Sequence, residues 1–282
     1  MSKLYIVGTP IGNLSDLSPR AGRVLGEVDF IAAEDTRVSG KLLQHLGIKK
    51  PMVSYYQHNM RERGQQIIDR IAAGESCAII TDAGMPCISD PGEDLVRLCH
   101  DQSIPIEVVP GPTAAMSALA ASGLATGRFA FEGFLSVKAS SRREHLAEVQ
   151  NDPRTLIFYE APHKLRATLT DMSAAFGADR PVTLARELTK LYEEITRTTL
   201  GEAVELYKER EPRGEFVLIV GGAAPKAAEE QISRQQAAEM IVQLNGCGVS
   251  LSDAAKQVAA DTGYKKGELY KLAQTLLDSD TE

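Results

Sequence analysis

LYIVGTPIGNL, residues 4–14, is the stretch that decides the fold. Its first four residues form a short apolar run, and Gly8, Pro10 and Gly12 interrupt the residues that follow. A short apolar run that ends in glycine and proline is typical of a buried strand leading into a tight loop. The stretch therefore predicts a first strand followed by a loop that holds a ligand close to the backbone.

The same pattern recurs through the first half of the chain. Apolar runs lie in VDFIAAED (28–35), CAIITDAG (77–84) and IPIEVVPGP (104–112), and each leads into polar or Gly/Pro-rich residues. TAAMSALAASGL (113–124) then reads as a helix of small residues that Gly123 closes. This alternation predicts an α/β fold with a mostly parallel sheet. In such sheets ligands bind outside the carboxyl ends of the strands, so the loops at these strand ends form a candidate site.

The second half of the chain is α/β again, with strands that alternate more strongly. An alternating pattern favours an antiparallel or mixed sheet. The predicted strands lie within 129–135, 155–162, 181–188 and 214–222, and the predicted helices within 140–150, 163–177 and 203–210.

Three domains are expected. Residues 1–123 form an α/β domain that carries the Gly/Pro loops, and residues 124–222 form a second α/β domain. A small, polar linker follows at 221–231. Residues 232–282 read as helix, Gly turn, helix, TGY turn and helix, which is similar to a helix-turn-helix.

Composition excludes several classes of protein. The chain of 282 residues has a formal net charge of −7, so no overall basic field attracts nucleic acid. The four cysteines contain no C-x-x-C pair, which argues against a zinc ribbon or a disulfide framework and suits the cytoplasm. No apolar run is long enough to span a membrane, and the five scattered histidines indicate no metal site.

The loops at the strand ends are poorly suited to phosphate. GTPIGN matches neither the dinucleotide fingerprint nor the P-loop, and Pro10 removes a backbone donor. The later loops add further prolines, together with Asp82 and Asp90. Exposed carbonyls and carboxylates suit a cationic ligand that carries hydroxyl groups. S-adenosylmethionine, with its sulfonium, ammonium and ribose hydroxyls, fits that description.

Eight ordered motifs carry a resemblance to a known family. They are GTPIGNLSDLSPRA (8–21), AEDTR (33–37), ITDAGMPCISDPG (80–92), VPGPTAAMSALAASGL (109–124), GFL (133–135), FYEAPHKL (158–165), ARELTKLYEE (185–194) and RGE (213–215). Together they resemble the bacterial small-subunit ribosomal RNA cytidine 2′-O-methyltransferases of the tetrapyrrole methylase superfamily. The resemblance covers nearly the whole chain, tail included.

This resemblance implies a fold, a reaction and a set of site residues. It implies two α/β domains with S-adenosylmethionine in the cleft between them, a homodimer, and methylation of a cytidine 2′-hydroxyl in the decoding region of 16S ribosomal RNA, free or in the 30S particle. Motif matching implies cofactor contacts from Pro10, Asp82, Ala83, Gly84, Ser89, Asp90, Pro110, Thr113, Ser117, Tyr159, Glu160, Ala161, Arg186, Glu187 and Leu188.

Candidate catalytic residues are Glu34, Asp35 and His58. A ribose hydroxyl is a weak nucleophile, so a base within hydrogen-bond reach would help. Glu34 and Asp35 follow a predicted strand directly, although Asp35 is equally suited to cap a helix and pair with Arg37. His58 lies in a polar stretch that suits either an RNA-stacking surface or a solvated loop. Asp82 and Glu187 are further candidates for this role.

Basic side chains near the motifs are candidates for contact with RNA phosphates. The predicted contacts are Arg37, Lys164, Arg166 and Lys190, although charged runs more often mark a solvated face.

Two other functions compete with this interpretation. One is a tetrapyrrole or corrinoid methyltransferase of the same fold. The other is a DNA-binding regulator acting through LSDAAKQVAADTGYKKGELYKLAQ (251–274), although the second helix of that segment lacks early Arg, Asn or Gln to read bases. We therefore expect no DNA partner, and we interpret the tail as an auxiliary RNA- or particle-binding module.

Overall fold

The computed structural model describes residues 2–56, 59–224 and 232–279. The chain divides into two compact units, residues 1–223 and residues 224–282, which are considered separately. Most of the predicted linker at 221–231 and the candidate base His58 lie outside the described residues.

The first sheet has five parallel strands, as the alternating pattern predicts. The strands are β1 (Leu4–Val7), β2 (Phe30–Ala33), β3 (Met52–Ser54), β4 (Cys77–Ile80) and β5 (Ile106–Val109), in the order β3-β2-β4-β1-β5. The connecting helices are α1 (Pro19–Glu27), α2 (Thr36–His45), α3 (Met60–Ala72) and α4 (Glu93–Asp101), and α5 (Ala114–Ser122) follows β5. Its C-cap, Gly123, has the left-handed conformation that favours glycine.

Both faces of this sheet are buried. Phe30, Ala32 and Ile79 pack into one apolar cluster, whereas Ile31 and Ala33 pack into a second cluster with α1. Side chains alternate between the faces of a strand, so a sheet that is covered on both sides needs unbroken apolar strands. This explains why the predicted strands read as continuous apolar runs.

The second sheet is mixed, as predicted. Its strands are β6 (Phe129–Phe134), β7 (Thr155–Glu160), β8 (Pro181–Arg186), β9 (Glu194–Thr199) and β10 (Phe216–Val220), in the order β6-β7-β10-β8-β9. Within this sheet, β6 pairs with β7 in parallel, and the other pairings between its described strands are antiparallel. The helices of this half are α6 (Ala139–Val149), α7 (Leu165–Phe176) and α8 (Leu200–Glu209).

Helix α5 joins the two halves of this unit. Its residues Ala115, Ala118 and Leu119 share an apolar cluster with Ile157 of β7 and Val217 of β10. The helix follows the first sheet in sequence but packs against the second. It therefore fixes the carboxyl ends of the first sheet next to the second sheet.

Residues 232–279 form three helices, as predicted. They are α9 (Arg234–Gly246), α10 (Leu251–Thr262) and α11 (Lys266–Ser279), and small side chains such as Ala237, Ala254 and Ala273 fill their common core. Ser233 and Ser250 cap the first two helices, and Gly263 ends the second in the left-handed conformation.

Candidate active site

Three strand-end loops of the first sheet meet at close range. A side chain at Gly8 would place its Cβ 2.7 Å from the Cα of Gly111, so the loops after β1 and β5 cross backbone to backbone. Thr9 and Gly84 exchange backbone hydrogen bonds of 2.9 and 3.2 Å, which tie the loop after β1 to the loop after β4. The predicted convergence of the Gly/Pro loops is therefore present.

A cavity of about 660 Å³ opens beside these loops and is lined from both sheets. Its size is within the range of small-molecule sites. The sequence-predicted residues that line it are Glu34, Asp82, Ala83, Gly84, Ser89, Asp90, Thr113, Tyr159, Glu160, Ala161, Glu187, Leu188 and Lys190. Those that do not line it are Pro10, Asp35, Arg37, Pro110, Ser117, Lys164, Arg166 and Arg186.

The cavity is acidic. Among the described residues, six carboxylate side chains line it, against one basic side chain, Lys190. The Lys190 ammonium already pairs with Glu187 and Glu215 at 2.9 Å each. Three of the carboxylates, Glu34, Asp82 and Asp90, form no ion pair with any lysine or arginine in the described part of the chain.

Neighbouring donors hold Glu34 and Asp82, and the three carboxylates lie close enough to repel one another. The Thr81 hydroxyl donates to Glu34 Oε2 at 2.5 Å, and the Asp35 amide donates to Asp82 Oδ1 at 3.3 Å. Burial, followed by repulsion from Glu34, raises the pKa of Asp82 and raises the pKa of Asp90 to about 6. A cation placed among them would relieve that repulsion.

Aromatic side chains form the opposite wall. Tyr159 packs edge-on against Phe131, with ring centroids 5.0 Å apart, and lies 5.4 Å from the ring of Phe134. The Ala115 amide, at the start of α5, donates to the Tyr159 hydroxyl at 3.2 Å. The cavity thus has one anionic side and one aromatic side.

Strained backbone is concentrated at this site. Four of the five non-glycine residues with positive φ in the described chain are Cys87, Ser89, Glu187 and Thr189. Ser89 and Glu187 line the cavity, and the other two lie within two residues of them. Such conformations cost of order 1–3 kcal/mol each and persist where surrounding packing imposes them, commonly at functional sites.

Asp35 has the capping role that its sequence position also allowed. Its carboxylate accepts the Arg37 amide at 2.8 Å and pairs with the Arg37 guanidinium at 2.6 Å at the start of α2. The hydrogen bonds from Arg37 lower the pKa of Asp35 to about 2. Asp35 is therefore engaged in the cap, whereas its neighbour Glu34 faces the cavity.

The predicted phosphate-binding cations differ in availability. The Arg37 side chain is 87% exposed, whereas Lys164 is largely buried and pairs with Glu160 at 3.2 Å. Arg166 donates to the Tyr207 carbonyl at 2.8 Å and pairs with Glu211 at 3.3 Å. Arg37 is thus the most accessible of the four.

Comparisons with known proteins bear on the whole chain. The family model described as Tetrapyrrole (Corrin/Porphyrin) Methylases matches residues 3–204. A protein of Synechocystis sp. named ribosomal RNA small subunit methyltransferase I is 45% identical over 98% of this chain and 99% of its own length. A protein of Pseudomonas aeruginosa with the same name is 47% identical over 96% of both chains. The chain belongs to the ribosomal RNA small subunit methyltransferase I family. These matches include the tail, and none of them supports the DNA-binding alternative.

Solved structures support the fold of this family member. The uroporphyrin-III C-methyltransferase of Thermus thermophilus, complexed with S-adenyl homocysteine, superimposes with a TM-score of 0.54. The two proteins are 21% identical, and the match covers 78% of this chain and 97% of the other. The predicted tetrapyrrole-methylase fold is therefore confirmed.

Sequence reasoning missed the apolar part of this family member's cavity. Unpredicted lining residues include Ile11, Met85, Ile88, Met116, Phe131, Phe134 and Val217. All of them except Phe131 and Val217 lie inside the quoted motifs, but an apolar residue in or beside a loop reads equally well as core. Among the described residues, no group of three or more His, Cys, Asp or Glu is arranged to hold a metal. No helix in those ranges is both long and apolar enough to cross a bilayer.

Proposed function

We propose that this protein uses S-adenosylmethionine to methylate the 2′-hydroxyl of a cytidine in the decoding region of small-subunit ribosomal RNA. The observation that carries this proposal is the acidic cavity at the strand ends, in a chain whose full-length relatives are named ribosomal RNA small subunit methyltransferases. The resemblance to the cytidine 2′-O-methyltransferases implies that the methylated nucleotide is a cytidine and that the methylated atom is its ribose 2′-oxygen.

The cavity fits the cofactor in charge and in shape. When bound, S-adenosylmethionine supplies a methyl group made electrophilic by its sulfonium. Asp82 and Asp90, which form no ion pair with a described lysine or arginine, would hold its positive groups, and Tyr159 and Phe131 offer an aromatic surface to its adenine. A nucleotide polyphosphate would meet six carboxylates and a lysine that is already paired, so the same cavity disfavours it.

Glu34 is the proposed proton acceptor. Thr81 fixes one carboxylate oxygen, while Oε1 receives no hydrogen bond from the described residues. A carboxylate held in this way would take the proton that the ribose hydroxyl loses as its oxygen bonds to the methyl carbon, while the bond from that carbon to sulfur breaks and S-adenosylhomocysteine leaves. Positioning of the hydroxyl within the cavity would supply a large part of the rate.

Small-subunit ribosomal RNA, free or in the 30S particle, is the proposed substrate, and a homodimer is the proposed state of the enzyme. Arg37, which follows Glu34 closely in sequence and is almost fully exposed, is the proposed phosphate contact beside the cavity. Such a substrate places the protein in the cytoplasm. Light scattering coupled to size exclusion tests the dimer, since a monomer at micromolar concentration would contradict it.

Labelled S-adenosylmethionine tests the reaction. The purified protein is incubated with small-subunit particles from cells that lack this gene, and the RNA is digested to nucleosides. The proposal expects the label in 2′-O-methylcytidine. Label on a base, or none on free RNA or particles, would refute it.

A further inference from the structure

Phe134 is an unusual side chain for the rim of a cavity. It lines the cavity at the end of β6, yet 55% of it is exposed. Ile88 and Met116, which line the same cavity from the first half of the chain, are exposed by 54% and 40%. Exposed apolar side chains grouped at a cavity mouth mark a surface that a partner covers.

A β-bulge aims Phe134 at this position. The pairing of β6 with β7 is regular through Phe131 and then shifts by one residue before Gly133, whose φ is +65°. In a regular strand Phe131 and Phe134, three residues apart, would point to opposite faces. With the bulge, both rings contact Tyr159. Bulges that redirect a side chain in this way are common beside active sites.

Neighbouring groups fix the ring of Phe134 in place. The Tyr159 ring lies against it at 5.4 Å, and Tyr159 is itself tied to the start of α5. The Lys164 ammonium lies 5.5 Å from the centroid of Phe134 and is held by Glu160, which is only 2% exposed. Lys164 is therefore directed to this ring by a buried carboxylate. The result is a preorganised aromatic surface with more than half of its area open to solvent.

We infer that Phe134 is the stacking platform for the nucleobase of the nucleotide whose ribose is methylated. This inference rests on the proposed function. Single-stranded RNA bases are commonly recognised by stacking on aromatic side chains. A neutral planar base also suits an apolar rim above an acidic cavity, whereas a phosphate does not. Lys164 then acts as a positioning residue for the platform.

Phe134→Leu tests the platform, and Phe129→Leu is a matched control. Phe129 begins the same strand, is 37% exposed and does not line the cavity. We expect Phe134→Leu to lower kcat/KM for small-subunit particles by about tenfold or more, mainly through KM, because base stacking is lost. Phe134→Tyr, which keeps a ring, should retain wild-type kcat/KM. Phe129→Leu should leave kcat/KM unchanged.

Calorimetry with S-adenosylmethionine shows whether Phe134 contacts the nucleobase of the substrate or the cofactor. The inference predicts a cofactor Kd within twofold of wild type for Phe134→Leu, which also shows that the variant is folded. Unchanged kcat/KM, or weaker cofactor binding that accounts for the loss, would overturn it. If wild-type protein methylates no ribosomal substrate, the proposed function fails and this inference with it; an active wild type with an unaffected Phe134→Leu overturns the inference alone.

Discussion

At the scale of single residues, the balance of charge in the cavity favours a cationic ligand over one that carries phosphate. Asp82 and Asp90 are partly buried and form no ion pair among the described residues, and repulsion from Glu34 raises the pKa of both, with a further contribution from Asp82 to Asp90. Lys190, the one basic side chain among the described residues that line the cavity, is neutralised by two glutamates. This arrangement is costly in the empty protein and favourable around a cation, which is how a site selects a sulfonium over a phosphate.

Binding of S-adenosylmethionine should therefore weaken in acid. The cation binds ionised Asp90, whose pKa is raised to about 6, so affinity is complete above pH 7 and is lost as the pH falls through 6. One pH unit below that pKa, proton competition should raise Kd by about tenfold. Calorimetry from pH 7.5 to 5.0 measures this change.

Two variants make that titration specific to Asp90. Asp90→Asn should bind weakly and show a flatter pH dependence. Glu93→Gln removes an exposed charge in the first turn of α4, three residues away and outside the cavity, and should behave as wild type. A wild-type Kd that does not change with pH would contradict the assignment.

Variants of the adjacent residues Glu34 and Asp35 distinguish the carboxylate that accepts a proton from the one that caps α2. Glu34→Gln should lower kcat by about 10²–10⁴-fold with cofactor Kd little changed, because the proton acceptor is removed. Asp35→Asn keeps a side chain that can cap α2 and should retain activity near that of wild type. Single-turnover methylation of particles measures both, and the opposite ranking would return the catalytic role to Asp35.

At the scale of elements, the crossing of two loops builds the site. Gly8 and Gly111 approach so closely that a Cβ on either would meet backbone of the other at 2.7–2.8 Å. The glycines of the opening stretch therefore serve backbone-to-backbone packing, and the prolines beside them hold the loops rigid. A phosphate-binding loop uses glycine differently, to turn its amides toward the ligand.

Gly111→Ala should destabilise the fold and reduce cofactor binding. The new methyl group would clash with backbone at Gly8, which we expect to cost at least about 1–3 kcal/mol of unfolding free energy. Gly22→Ala is the control, since Gly22 lies in α1 with nothing within 4 Å of its added Cβ, and alanine there should stabilise by about 0.5–1 kcal/mol. Urea denaturation measures both, and an equally stable Gly111→Ala would show that the loops do not cross as described.

The elements that could be predicted from sequence are those with a strong local signal. The buried strands β1, β2 and β4 were predicted because both of their faces are covered, and the loop convergence followed from glycine and proline at their ends. Strands β3 and β9 and helices α1, α3 and α4 were not predicted. β3 has three half-buried residues, and EITRTT of β9 is a polar edge strand. The β6 bulge depends on pairing with β7, so the position of Phe134 had no local sequence signal.

At the scale of the whole molecule, residues 1–223 form a unit in which α5 joins two sheets around one cavity. Residues 224–282 form a second unit with its own apolar core, and Lys265, Lys266 and Lys271 are exposed on it. A separate unit with exposed lysines suits contact with RNA or with the particle, and none of its described residues lines the cavity.

Deletion of residues 226–282 should separate cofactor binding from binding to small-subunit particles. The truncated protein should keep the cofactor Kd of the full chain within about twofold, because every described residue that lines the cavity lies before residue 224. Its affinity for small-subunit particles should fall by about tenfold or more, the loss expected when several phosphate contacts disappear. Filter binding measures the second value, and an unchanged particle affinity would show that the tail is not a particle-binding module.

The most direct test of the account is a map of ribose methylation on small-subunit ribosomal RNA from cells with and without this gene. The account predicts that one cytidine in the decoding region loses its 2′-O-methyl group in the deletion strain. The wild-type gene should restore it, and a Glu34→Gln copy should not. A ribose methylation map that is identical in both strains would contradict the account.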